Sequence, residues 1–205
     1  MIMTTSRSLA RDVLQGALGF ALVSLAAFSV WAFAGGWFRG HGGELAMYGA
    51  IAVIFLGLSG LALGGLAGGA VRFYQAFLPA FFVYSVVWCI AWFGLPDKRG
   101  EWLGSILGGV VFTLISFKIL GGKRGLLGAA LVFVVLHSAG YFAGDWAMHG
   151  YWQDEGRRAQ YLWLTHRGFA ALAKLSWGLC YGLGFGAGIG WVFHRARLPL
   201  EPAAK

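Results

Sequence analysis

Apolar residues run along this chain in stretches of hydrocarbon length, broken by short polar segments. The stretches 13–36, 45–70, 76–95, 102–121, 126–146 and 169–193 each hold about 20 residues or more, enough for a helix rising 1.5 Å per residue to cross a ~30 Å bilayer core. The breaks are polar or glycine-rich: Arg39-Gly40-His41-Gly42-Gly43-Glu44, then Arg72, then Pro96-Asp97-Lys98-Arg99-Gly100-Glu101, then Gly121-Gly122-Lys123-Arg124-Gly125. This pattern predicts an all-α polytopic membrane protein, a bundle of six transmembrane helices forming one integral membrane domain over 1–205. The break from about 147 to 168 is the longest. Within it, 157–166 mixes charge with bulky apolar residues, which fits either a short helix lying on the membrane surface or an ordinary loop with an aromatic anchor. Arg7 and Arg11 ahead of the first stretch, and Ala32-Phe33-Ala34 within it, mimic a secretory signal. Its run of about 20 residues exceeds the usual apolar core of such signals, so it reads as a retained first helix.

Six spans put both termini on one side. Arg7, Arg11, Arg72, Lys118, Lys123, Arg124, Arg195, Arg197 and Lys205 then share the terminal side, against Arg39, Lys98, Arg99, Arg157, Arg158 and Arg167 on the other. The bias of Lys and Arg toward cytoplasmic loops predicts cytoplasmic N- and C-termini in an inner or plasma membrane. It also accounts for the net charge of +8. The basic residues are scattered over short loops rather than gathered on one face, so nucleic acid is not an expected partner. Trp37, Trp92, Trp102, Trp146, Trp152 and Trp163 fall near the predicted outer boundary, where an interfacial aromatic belt belongs.

Composition sharpens the packing. Apolar residues make up 59% of the chain and charged residues 12%, with 34 glycines. Glycines four apart share a helix face and let a second helix approach closely. Gly60 with Gly64, and Gly178 with Gly182 and Gly186, are the predicted packing faces; Gly184 and Gly188 form a further pair. Such faces suit the expected partners: the lipid bilayer, and a second copy of the chain or other membrane subunits. Cys89 and Cys180 both fall inside spans and offer neither a disulfide framework nor a zinc site. There is no Cys-x-x-Cys pair for disulfide chemistry, and the acidic metal motifs of phospholipid-synthesising transferases are absent.

Gly57-Leu58-Ser59-Gly60 followed by Gly64, and His137-Ser138-Ala139-Gly140 followed by Gly144, resemble the serine and histidine motifs of rhomboid intramembrane proteases. The resemblance implies Ser59 as nucleophile and His137 as its base, a pairing that needs hydrogen-bond contact. Here the two motifs fall on the second and fifth spans, which run in opposite directions, whereas the family carries them on parallel helices. The second span also lacks the His or Asn that would hold the oxyanion. These departures disfavour the protease reading.

Ionisable residues at bilayer depth are expensive unless paired or facing water. His137, Tyr141, Asp145 and His149 recur every four residues and so form a slowly turning stripe on one helix face, with about 12 Å of rise from His137 to Asp145. The sixth span returns alongside, which predicts His166 at the depth of Asp145 and Lys174 at the depth of His137. His137, Tyr141, Asp145, His166 and Lys174 are therefore the candidate solute- or ion-binding track; the structural alternative is that His137 bonds a neighbouring helix, Asp145 caps a helix end and Lys174 pairs or snorkels. Asp145 with His149 supplies two metal ligands at most, too few for a zinc site, and no metal is expected. Only His137 lies well inside a span, which disfavours a bis-histidine haem. A pigment on a single histidine stays open, and the cofactor is unassigned. Three classes follow: a small-solute or ion transporter or channel using that track, a non-catalytic subunit or scaffold of a larger membrane complex, and an intramembrane enzyme.

Overall fold

A computed structural model describes residues 8–95, 97–161 and 163–197. Arg7, Pro96, Leu162 and Lys205 lie outside the described residues, as do the side chains of Glu155 and Arg158. The described chain is helical, with six long helices: α1 (Leu9–Arg39), α2 (Gly43–Ala67), α3 (Ala70–Gly94), α4 (Lys98–Leu120), α5 (Leu126–Trp152) and α6 (His166–Ala196). The first five are long and apolar enough to cross a membrane. At 31 residues α6 is long enough as well, but glycine at six of its positions between 178 and 190 dilutes its apolar character.

Several helices outrun the apolar stretches that announce them. Ser8 accepts a hydrogen bond from the Arg11 amide at 3.3 Å and starts α1 ahead of its apolar run. The turn into α3 is made by Gly68 and Gly69, whose φ of 83° and 153° suit glycine alone. The helix therefore begins at Ala70 and carries Arg72 in its exposed first turn, which leaves Pro79 in its interior. Segments of α1 (Val30–Ala34) and α5 (Trp146–Trp152) wind as wider π-turns, and α5 continues through Trp152. The surface helix allowed over 157–166 is reduced to one turn, Glu155–Arg158. The aromatic residues of that loop fold back instead: the Tyr151 and Tyr161 hydroxyls lie 3.2 Å apart, and Trp152 and Tyr161 both pack against Phe169 of α6.

Each helix packs on its sequence neighbours, and α6 closes the ring against α1. Glycine sets the two closest approaches. A Cβ on Gly182 would lie 2.6 Å from the Ala21 Cα, and one on Gly186 or Gly190 would meet the α1 backbone at Gly16 or Asp12. Gly178 receives the Phe28 ring, and Ser24 donates to the Gly178 carbonyl at 2.7 Å. The opposite row of α6 serves α5: Gly184 lies against Gly140, and Gly188 against Phe133. Gly60 and Gly64 of α2 face Tyr74 and Ala70 at the start of α3, where the Tyr74 hydroxyl donates to the Gly57 carbonyl at 2.7 Å.

Phenylalanines fill the ring: Phe20, Phe77, Phe112, Phe133 and Phe185 are fully buried and in mutual ring contact. Large apolar side chains such as Leu18, Leu61, Phe82, Phe93, Leu127 and Leu131 point outward. Such an outer surface is costly in water and matched to lipid. Because consecutive helices alternate in direction, exposed Trp37, Trp92, Trp102, Trp146 and Trp163 gather at one end of the bundle.

Candidate functional site

His137 of α5 is fully buried among side chains of α3, α5 and α6. Its Nε2 shares a 2.8 Å hydrogen bond with the Tyr84 hydroxyl of α3, and its Nδ1 has no partner among the described residues. The imidazole stacks over Phe133 and lies edge-on to Phe185, with centroids 6.0 and 5.3 Å away. Tyr141, one turn along α5, and Tyr181 of α6 complete the surround.

In front of Tyr84 lies a cavity of about 470 Å³. Eleven of its fourteen lining residues are aromatic, including Trp31, Tyr84, Trp88, Tyr141, Trp177 and Tyr181, and the others are Ile51, Ser85 and Cys89. Among its lining residues Tyr48 of α2 and Cys89 and Trp92 of α3 are exposed. The two helices are tied at their connecting turn by Tyr74, and the chamber occupies the space between them beyond Phe55 and Phe81.

The residues of the expected polar track fall into separate settings. His137 and Tyr141 belong to the buried aromatic cluster. Asp145 lies at the rim, where Lys98 Nζ donates to it at 2.8 Å and His149 Nδ1 at 3.0 Å. Lys98 also bonds Glu101 at 2.8 Å. His166 occupies the first turn of α6 and is exposed. Lys174 turns to α1, donating to the Trp31 carbonyl at 3.0 Å with its ammonium 4.8 Å from the Trp31 ring centroid.

The structure thus revises the expected register. His137 meets Tyr181 and Phe185, two to three turns beyond Lys174 on α6. The pairing is fixed by glycine contacts, Gly144 with Trp177 and Gly140 with Gly184, which put Lys174 beside the far end of α5 rather than beside His137. Exposed ion pairs contribute little. With the Lys98 side chain 56% exposed, Lys98→Met is expected to shift stability by less than about 1 kcal/mol, read as a thermal midpoint that moves by only a few degrees.

The pairing implied by the rhomboid resemblance does not form either. The Ser59 hydroxyl is buried and donates to the Phe55 carbonyl of its own helix, while His137 is engaged with Tyr84. Among the described residues no three of His, Cys, Asp and Glu gather as a metal site requires. Three participants had no signal as a group in the sequence. Trp31, Tyr84 and Trp177 come from three separate spans and meet only in the fold.

Comparison with protein-family models, curated proteins and solved structures finds no match to this chain. The class rests on its own physics. Five membrane-capable helices and a lipid-matched outer surface make it an all-α, multi-pass integral membrane protein.

Proposed function

We propose that this protein binds a hydrophobic small molecule taken from the bilayer, held in the aromatic chamber between α2 and α3. In this reading all six long helices cross the membrane and both termini are cytoplasmic, as the distribution of Lys and Arg favours. The observation that carries it is the chamber itself: an apolar pocket of ligand size with few convergent polar groups. The Tyr84 hydroxyl retains hydrogen-bonding capacity beyond His137 and can engage a polar atom of the ligand.

The solute or ion route along His137, Tyr141, Asp145, His166 and Lys174 has less support, since those groups face different neighbours. The subunit or scaffold reading rests on the outer face of α2, where Cβ atoms on Gly49 and Gly57 would meet nothing within 4 Å. A second copy or another membrane subunit fits there. The two rows of close-packed glycines on α6 are already occupied by α1 and α5.

The test is solvent extraction of purified protein followed by mass spectrometry. A hydrophobic compound is expected at near one per chain. Ser85→Trp and Ile51→Trp fill the chamber from opposite walls and should each remove it. Tyr84→Phe, which loses only the hydroxyl, should reduce retention about tenfold, equivalent to one hydrogen bond of roughly 1.4 kcal/mol. Retention unchanged in both tryptophan variants would refute the proposal.

A further inference from the structure

A second cavity, of about 570 Å³, lies at the tryptophan-rich end of the bundle among the end of α1, the start of α2 and the start of α6. Arg39, Arg167 and Lys174 line it, against one carboxylate, Glu44. None of the three cations forms an ion pair among the described residues, so the lining carries an uncompensated positive charge. The first turn of α6 reaches the same space through Arg167 and Gly168. The Gly168 amide is capped by the Thr165 hydroxyl at 3.2 Å, and the positive end of the helix macrodipole adds to the attraction for an anion.

Trp31 is the wall common to this vestibule and the aromatic chamber. Lys174 sits on it from the vestibule side, bonded to its carbonyl and set over its ring. On α2 the two spaces follow one another along the helix, with Met47 lining the vestibule and Tyr48 the chamber. A charged compartment thus adjoins an apolar one, and the charged one lies at the level of exposed Trp37, the depth at which lipid headgroups meet an interfacial belt.

We propose that the ligand is an amphiphile from the bilayer with an anionic phosphate group: its head is held by Arg39, Arg167 and Lys174, and its apolar part enters the aromatic chamber. This rests on the chamber reading above and adds the class of molecule. Arg and Lys are the side chains suited to phosphate, Arg through its planar fork of donors and Lys as a point charge.

The experiment is native mass spectrometry of the full chain, delipidated in neutral detergent and offered equimolar phosphatidylglycerol and phosphatidylcholine with identical acyl chains. Both lipids carry a phosphate, but phosphatidylcholine cancels it with a quaternary ammonium. One phosphatidylglycerol per chain is expected, retained at least tenfold over phosphatidylcholine. The double variant Arg167→Gln/Lys174→Gln should bring the two lipids to parity while keeping its thermal midpoint within a few degrees. Ser85→Trp should release both.

Equal retention of the two lipids by the unsubstituted protein, with Ser85→Trp still releasing both, would overturn the anionic-head inference and leave the chamber reading standing. A phosphatidylglycerol preference that survives Ser85→Trp but vanishes in the double variant would leave an anion site alone and overturn the bridging amphiphile. Displacement of phosphatidylglycerol by millimolar inorganic phosphate would assign the vestibule to a free anion and overturn the lipid source; no displacement supports it.

Discussion

Gly186→Leu is expected to abolish the folded bundle. The new side chain would have to occupy space held by the Gly16 carbonyl and the Phe20 Cβ. A flexible side chain can rotate away from an intruder; the backbone of a packed helix cannot without parting α1 from α6. Overpacking a core costs about 1–3 kcal/mol where neighbours can yield, so a backbone obstacle places this substitution beyond about 3 kcal/mol. The measurement is recovery of a monodisperse peak after detergent extraction, with the thermal midpoint of whatever is recovered. Gly128→Leu is the matched control: a Cβ there meets nothing within 4 Å, and it should extract and melt like the unsubstituted protein. Normal melting of Gly186→Leu would mean that α1 and α6 do not meet as described. The same contact separates the readings of the glycine faces, since a groove kept for a partner would tolerate leucine until that partner was added.

Asp12→Ala is expected to cost nearly as much, through charge rather than volume. Asp12 is fully buried in the first turn of α1, where His194 Nδ1 and Arg197 Nη2 of the chain's last long helix and its end both donate to its Oδ2 at 2.9 Å. The cluster fastens the first helix to the last at the end of the bundle opposite the exposed tryptophans. Removing one member of a buried ion pair strands its partners and typically costs about 3–5 kcal/mol. Arg197 and His194 keep some access to solvent, with side chains 22% and 14% exposed, so the lower end of that range applies. At this chain length about 3 kcal/mol corresponds to a fall in thermal midpoint of roughly 6–12 °C. Arg197→Gln should lower it in the same direction by removing a fixed positive charge from beside the carboxylate. A midpoint unchanged in both variants would show that the cluster contributes nothing to closing the ring.

These two positions differ in how visible they are along the chain. Gly186 belongs to a repeat of glycines four apart, and that spacing alone places them on one helix face. What the spacing leaves open is which helix lies against which row. In the fold, Gly178, Gly182, Gly186 and Gly190 serve α1, while Gly184 and Gly188 serve α5. Asp12 carries no such mark. It sits just ahead of an apolar stretch and beside Arg11, like any residue flanking a span, and it meets His194 and Arg197 because the ring closes and brings the chain's far end to it.

The chamber makes the same point for function. The spacing of His137, Tyr141, Asp145 and His149 places them on one face of α5, and that local geometry holds; His149 does bond Asp145 one turn away. The expected partnership of His137 with Lys174 depended on the register between α5 and α6. That register follows the contacts of Gly140 with Gly184 and Gly144 with Trp177, which set Lys174 against Trp31 and Tyr84 against His137.

The sequence by itself determined that the chain is helical and membrane-embedded, where its helices run to within a turn or two, and which side chains share each face. Those properties follow from hydrocarbon-length apolar runs and from a helical repeat that acts between residues three and four apart. Only the tertiary structure decided which faces meet, how far one helix slides along the next, and that Trp31, Tyr84 and Trp177 enclose one chamber. The physical reason is that helix formation is local, whereas register between helices is set where backbones touch. In this chain glycines permit many such contacts, and the fit of the aromatic rings around them selects one.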